Sequence, residues 1–280
     1  MRIHIWYFSG TGNTWYISNH IARALALRES RVTLSSIESA DPPQVEQMLD
    51  ECDVIGIGYP VYGSDLPSPM KQFLRSLPVP PHPVDLFVFC TQWLFSGDGT
   101  QAALEFLPSR QYRVRWSEHL FMPNNVCVSA LRLPYTNDPK RIARRGAQQI
   151  PRISRLADHI VSGSSSHRGF GILPALLGSL QRSPFRRFFS SLQNDFTIDQ
   201  SVCTRCGLCS KICPVENLTF GHDKIVVPQG RCILCLRCYN FCPVQAVVYR
   251  GRGHISSRGI PYRGPDDFNP REEKKRWHKY

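Results

Sequence analysis

The sequence predicts an α/β protein in two parts: a doubly wound parallel sheet covered by helices on both faces, then a smaller α+β domain. Three observations lead there. Strand-like and helix-like patterns alternate through the first 162 residues, as chains that build a covered parallel sheet do. A glycine-rich turn, Ser9-Gly10-Thr11-Gly12-Asn13-Thr14, follows the first apolar run directly. Eight of the 11 cysteines crowd into residues 203–242, and in a chain read as cytoplasmic such clustering points to metal ligation over disulfides.

Each element follows from its own pattern. RIHIWYF opens the chain as a strand, its apolar run too short for a secretory leader and followed by no small-residue cleavage site. TWYISNHIARALAL places Ile17, Ile21, Ala24 and Leu25 on one helical face. RVTLSSI is the second strand. CDVIGIGYP is the third, apolar throughout, as a strand buried on both faces is. PSPMKQFLRSL reads as a helix with Pro69 near its start. DLFVFCTQ is the fourth strand, DGTQAALEFL a helix and RVRWSEHLFM the fifth strand. DPKRIARRGAQQIPRISRLADHIVSG is a long basic helix that Pro151 kinks or divides.

The first domain is set at residues 1–162, and a basic amphipathic connector at 163–196. In the connector, Leu173, Leu176, Leu177 and Leu180 repeat at i, i+3, i+4, i+7, and so do Phe185, Phe188, Phe189 and Leu192. Ser183-Pro184 supplies a cap and a first-turn proline, so two helices are expected here, bracing the domains. Arg182, Arg186 and Arg187 flank the second set, which leaves a membrane-surface element as the alternative.

The second domain, residues 197–250, carries CTRCGLCSKICP and CILCLRCYNFCP. Both read C-x2-C-x2-C-x3-C-P, the spacing of a bacterial two-cluster ferredoxin. Three closely spaced thiolates wrap one face of a cubane, and the fourth, followed by proline, reaches the other cluster. Cys203, Cys206, Cys209 and Cys242 would hold one [4Fe–4S] centre; Cys232, Cys235, Cys238 and Cys213 would hold the second. A zinc ribbon from Cys203/Cys206 and Cys232/Cys235 is the competing reading. It leaves the other four cysteines unused and predicts neither Cys-Pro.

The glycine turn fits neither common phosphate motif. A Rossmann fingerprint wants a small residue where Trp15 stands, and a Walker loop wants a lysine that residues 1–28 lack. A phosphate here must be held by neutral donors: backbone N–H groups at a helix start, the hydroxyls of Ser9, Thr11 and Thr14, and the Asn13 amide. SGTGNT after a first strand resembles the FMN-phosphate loop of the flavodoxins, matching T/S-x-T-G-N-T throughout. That resemblance implies a flavodoxin-like sheet of order 2-1-3-4-5 and FMN as the cofactor, with Gly10 and Gly12 in the loop. It also implies two further flavin loops, one with Pro60, Val61, Tyr62 and Gly63, the other with Thr91, Gln92, Trp93 and Gly97. WLFSGDG departs from the family's acidic third loop. The whole chain resembles the family of flavodoxin–ferredoxin fusion proteins; FMPNN (121–125) and RGIPYRG (258–264) are similar to segments of that family. Asn124 and Asn125 are read as capping a turn, with reach to the flavin as the alternative.

The expected function is internal electron transfer between FMN and two [4Fe–4S] clusters, linking a donor to an acceptor. The alternative is an iron–sulfur flavoenzyme reducing a small substrate at FMN, marked by an open cavity with an ionisable group inside. The net charge of +12 is uneven: residues 140–195 hold 10 Lys/Arg against 2 Asp/Glu, and the basic tail, 251–280, follows the same trend. Redox partner proteins of acidic surface are therefore expected. Nucleic acid is not, because no recognition motif accompanies the charge.

Overall fold

Strand β1 (Arg2–Tyr7) is buried from Ile3 onward, as a central strand must be. In the computed structural model, which describes residues 1–128, 131–221, 226–254, 259–265 and 268–273, it pairs with β2 (Arg31–Ser36) on one side and β3 (Val54–Pro60) on the other. Helix α1 (Asn13–Ala26) links β1 to β2, and α2 (Pro42–Glu51) links β2 to β3. Beyond β3, α3 (Ser68–Ser76) leads to β4 (Val84–Gln92), and then come β5 (Tyr112–Phe121), α4 (Pro139–Ala147), α5 (Ile150–Ser162) and the two-residue β6 (Ser166–His167). The sheet runs β2-β1-β3-β4-β5-β6 with every pairing parallel. That is the flavodoxin-like order with one short strand added, beyond residue 162.

Two apolar layers sandwich the sheet. On one face Ile17, Ile21 and Leu25 of α1 join Ile153, Leu156 and Ile160 of α5 over Ile3, Ile5 and Phe87. On the other, Val45 and Leu49 of α2 and Met70, Phe73 and Leu74 of α3 cover Trp6, Ile55, Ile57 and Val88. The strands' carboxyl ends, where β1, β3 and β4 give way to loops, converge at one edge, which is where such sheets bind ligands.

Two local expectations give way, and the open choice at Pro151 resolves to a division. DGTQAALEFL forms only a 3-10 turn over Gln101–Phe106; Thr100 spends its hydroxyl on His119 and the Arg168 carbonyl instead of capping a helix. Pro151 divides the basic helix: α4 ends at Ala147, and Pro151 sits in the first turn of α5, where its missing N–H costs nothing. The connector is not two helices but one, α6 (Ile172–Asn194), with Pro184 inside. The chain on both sides of the proline is anchored, which overrides the local break. Arg182 binds Asp98 and the Ser64 carbonyl, Gln181 accepts from Ser64, and Arg186 binds Asp65.

The second domain is built of short pieces. Strand β7 (Phe196–Ile198) pairs antiparallel with β10 (Val247–Tyr249), and β8 (Leu218–Phe220) with β9 (Val226–Pro228). Helices α7 (Leu208–Lys211) and α8 (Arg237–Phe241) start within the two cysteine runs. KIVV (224–227) reads as a short strand, but its Lys224 and Ile225 lie outside the described residues, as does Arg258 of RGIPYRG. The chain then returns to the first domain: Phe268 packs on Trp15, and Tyr7 donates a 2.9 Å hydrogen bond to Glu273 of α9 (Pro270–Glu273). Among the described residues no helix is long and apolar enough to cross a membrane.

Candidate functional site

The glycine turn joins β1 to α1 and is buried from Ser9 to Gly12. Ser9 Oγ accepts hydrogen bonds from the Gly12 and Trp15 N–H groups, both at 3.2 Å, and so caps α1. Gly12 has φ of 99°, a left-handed conformation that costs a glycine nothing. Among the described residues, no acceptor pairs with the backbone N–H of Thr11, Asn13 or Thr14. Unpaired donors at a helix start are an anion site, and with no cation in the loop the phosphate would rest on dipoles. All four expected side chains already hold protein partners, Ser9 and Thr11 only as acceptors, which leaves their hydroxyl protons to donate. Thr11 Oγ1 accepts from Asn125 at 2.9 Å, and Asn13 gives one N–H to the Pro123 carbonyl at 2.9 Å while accepting from Tyr262. Thr14 bonds to Thr91 at 2.8 Å, joining the first loop to the third.

These loops line one cavity of about 470 Å³, within the range of cofactor sites. Its walls include Ser9, Gly10, Thr11, Asn13 and Thr14, then Pro60, Val61, Tyr62 and Gly63, then Thr91, Gln92 and Trp93. Of the expected flavin-site residues, Gly12 and Gly97 are missing from it. Gly12 turns against Phe268, and Gly97, at φ +55°, lies under α6 where that helix packs on the loop. Residues that the sequence reading did not assign complete the wall: Phe95 from the third loop, Gln181 and Phe185 from α6, and Phe196, Leu234 and Leu236 from the second domain. Asn124 and Asn125 line it too. Asn124 holds a turn through Val126 and Pro134, while Asn125 reaches the phosphate loop. Among the described residues no Asp, Glu, Lys, Arg or His lines this cavity. A flat, largely apolar ring with a phosphate tail fits such a lining, and the Tyr62 hydroxyl, buried with no partner among the described residues, fits a polar group of that ligand.

The eight cysteines surround two smaller cavities. One is lined by Cys203, Cys206, Cys209 and Cys242, the other by Cys213, Cys232, Cys235 and Cys238. Each set takes three thiols from one run and the fourth from the other. Burial pushes the Cys209 and Cys232 thiols up to about 11 and Cys235 up to about 12, so only a bound cation would hold them as thiolates. Backbone N–H groups already point at sulfur, from Asn217 to Cys213 at 3.1 Å and from Ala246 to Cys242 at 3.2 Å. Among the described residues no three ligating side chains converge on a single-ion site; a cubane, with iron at four corners, needs its thiolates farther apart.

The contact between the domains centres on Arg237, which lies between Cys235 and Cys238 and is fully buried. Its guanidinium forms a two-pronged ion pair with the equally buried Glu38. It also donates to the carbonyls of Gly10 at 3.0 Å, Ser9 at 2.6 Å and Ile212 at 3.1 Å. The one available sequence signal was a charge within an otherwise apolar stretch between ligands.

These features define a flavodoxin-like domain joined to an iron–sulfur domain. Residues 195–243 match the family model of the 4Fe-4S dicluster domain, which implies [4Fe–4S] clusters; the flavodoxin-like fold with its donor loop implies FMN. Among solved structures, a short-chain flavodoxin associated with a PDU bacterial microcompartment is 17% identical, with a TM-score of 0.39, over 59% of this chain and 99% of its own. Oxidised flavodoxin 2 from Bacillus cereus is 18% identical, TM-score 0.40, over 55% and 99%. Rubredoxin oxygen:oxidoreductase from Desulfovibrio gigas is 12% identical, TM-score 0.41, over 58% and 36%. The fold assignment rests on strand order, not on these scores. No curated protein sequence matches the chain.

Proposed function

We propose that this protein transfers electrons between FMN and two [4Fe–4S] clusters inside one chain, linking a redox donor to an acceptor. When bound, FMN exchanges electrons singly or in pairs and each cluster exchanges one. The observation that carries the reading is a shared wall. Phe196, Leu234 and Leu236 line both the flavin cavity and the cavity of Cys213, Cys232, Cys235 and Cys238. Among the described residues the other cysteine cavity shares none with the flavin cavity, and its Cys206 is exposed. The second-run cluster is therefore the flavin's neighbour, and the first-run cluster is the one that meets a partner.

Thr14, Thr91 and the loop amides hold the cofactor; Phe196 and the two leucines exclude water from the gap. Among the described residues the wall offers only tyrosine hydroxyls as ionisable groups, which gives the flavoenzyme alternative, in need of an acid or base beside the substrate, less support than electron transfer. Anaerobic purification with an iron count and flavin extraction tests the reading: about eight irons and bound FMN support it, and a colourless zinc-loaded protein refutes it.

The partner is proposed to be an acidic protein. Lys140, Arg141, Arg144 and Arg187 are exposed; among the described residues only Arg141 of these four has an ion-pair partner, Asp138 at 3.6 Å. Association driven by such charges slows steeply with salt, and a flat salt profile of the intermolecular rate would remove this partner.

A further inference from the structure

We propose that Arg237 is a positioning residue that makes FMN retention depend on the second-run cluster; the inference rests on the FMN and cluster reading above. Arg237 has five N–H donors, and five hydrogen bonds account for them: two to Glu38 and one each to Ser9, Gly10 and Ile212 carbonyls. Two of these partners are the first carbonyls of the phosphate loop. A trans peptide sets its C=O and N–H on opposite sides. Drawing the Ser9 and Gly10 carbonyls to the guanidinium therefore turns the Gly10 and Thr11 N–H groups the other way, and both residues line the flavin cavity. Glu38 neutralises the arginine, so the guanidinium shapes the loop without adding net charge beside the phosphate.

The arginine is in turn held by a loop that does not keep its own shape. Leu234 and Leu236 have φ of 59° and 61°, left-handed values that a side chain disfavours. The first run has Gly207 where the second has Leu236, and Leu208 where it has Arg237. Sulfur–iron bonds at Cys232, Cys235 and Cys238 would hold this strained backbone in place. Without them the loop relaxes, the fork leaves the Ser9 and Gly10 carbonyls, and the amides lose their aim. Linkage makes the coupling reciprocal: FMN also stabilises the second cluster.

The test is anaerobic FMN titration of the full chain by flavin fluorescence, with iron counts and low-temperature EPR. Arg237→Lys keeps the charge but not the fork; it should retain both cluster signals while binding FMN at least tenfold more weakly. Cys213→Ser, which removes a second-cluster ligand and leaves position 237 intact, should weaken FMN similarly. The double variant should be no weaker than the worse single one, because both act through one contact. Adding FMN should alter the second cluster's EPR signal in the wild type and not in Arg237→Lys. Should Arg237→Lys fail to fold, the Cys213→Ser titration still decides. Wild-type affinity in Cys213→Ser, or fully additive losses, overturns the proposal alone; a wild type that binds no FMN overturns the underlying reading with it.

Discussion

Gly10→Ala puts a methyl group into the seam between the two cofactor sites. A Cβ there would lie 2.7 Å from the Tyr62 hydroxyl, 2.9 Å from the Cys235 carbonyl oxygen and 3.5 Å from Cys235 Cβ. Ordinary contact starts near 3.4 Å, so the phosphate loop and the cysteine loop must part by about 0.5 Å. Neither neighbour yields easily, one being backbone inside a cysteine run and the other a buried hydroxyl. Overpacking of this kind costs about 1–3 kcal/mol, equivalent to roughly 5- to 150-fold in affinity. The strain falls on the carbonyls that Arg237 holds, so FMN affinity should drop by that factor while the iron content stays near wild type. Gly253→Ala is the control, because its Cβ would meet nothing closer than 3.8 Å. Flavin fluorescence titration of both variants decides, and a Gly10→Ala protein that binds FMN like the wild type refutes the contact.

Cys213→Ser should cost about half of the eight irons expected of two cubanes and remove the EPR signal of the second-run cluster; loss of the first-run signal instead would refute the crossed ligation. Acid should destabilise the fold. Burial pushes the His4 and His119 imidazoles down to about 4, so each contributes stability above pH 6.5 that is lost as pH falls to 4, about 3 kcal/mol apiece. Glu273, pushed up to about 7 by burial and by the charge of Glu38, works the other way, its contribution complete below pH 4.5 and lost as pH rises to 7. Two histidines outweigh one glutamate, so urea midpoints should fall between pH 6.5 and pH 4, and a midpoint that rises contradicts the assignment.

The sheet was legible because its strands are local, apolar and separated by turn residues, as VIGIGYP in β3 shows. The grouping of the eight cysteines around two cavities was legible because their spacing depends little on the rest of the fold. The continuity of α6 was not legible: Pro184 is a local stop signal, and the residues that override it, Asp65 and Asp98, lie some 80 to 120 positions earlier. The Arg237–Glu38 pair spans 199 residues, and nothing around Glu38 announces a buried partner. The close approach of Gly97 to Gly178 and Pro174 of α6 was not legible for a similar reason, since it joins segments some 80 residues apart.

Rapid photoreduction of the flavin in the full chain, followed by bleaching of the iron–sulfur absorbance, tests internal transfer most directly. A first-order bleaching rate that does not change with protein concentration is the predicted result. A rate that rises in proportion to concentration, with the flavin bound, would mean that electrons pass between molecules and that the wall of Phe196, Leu234 and Leu236 is no bridge.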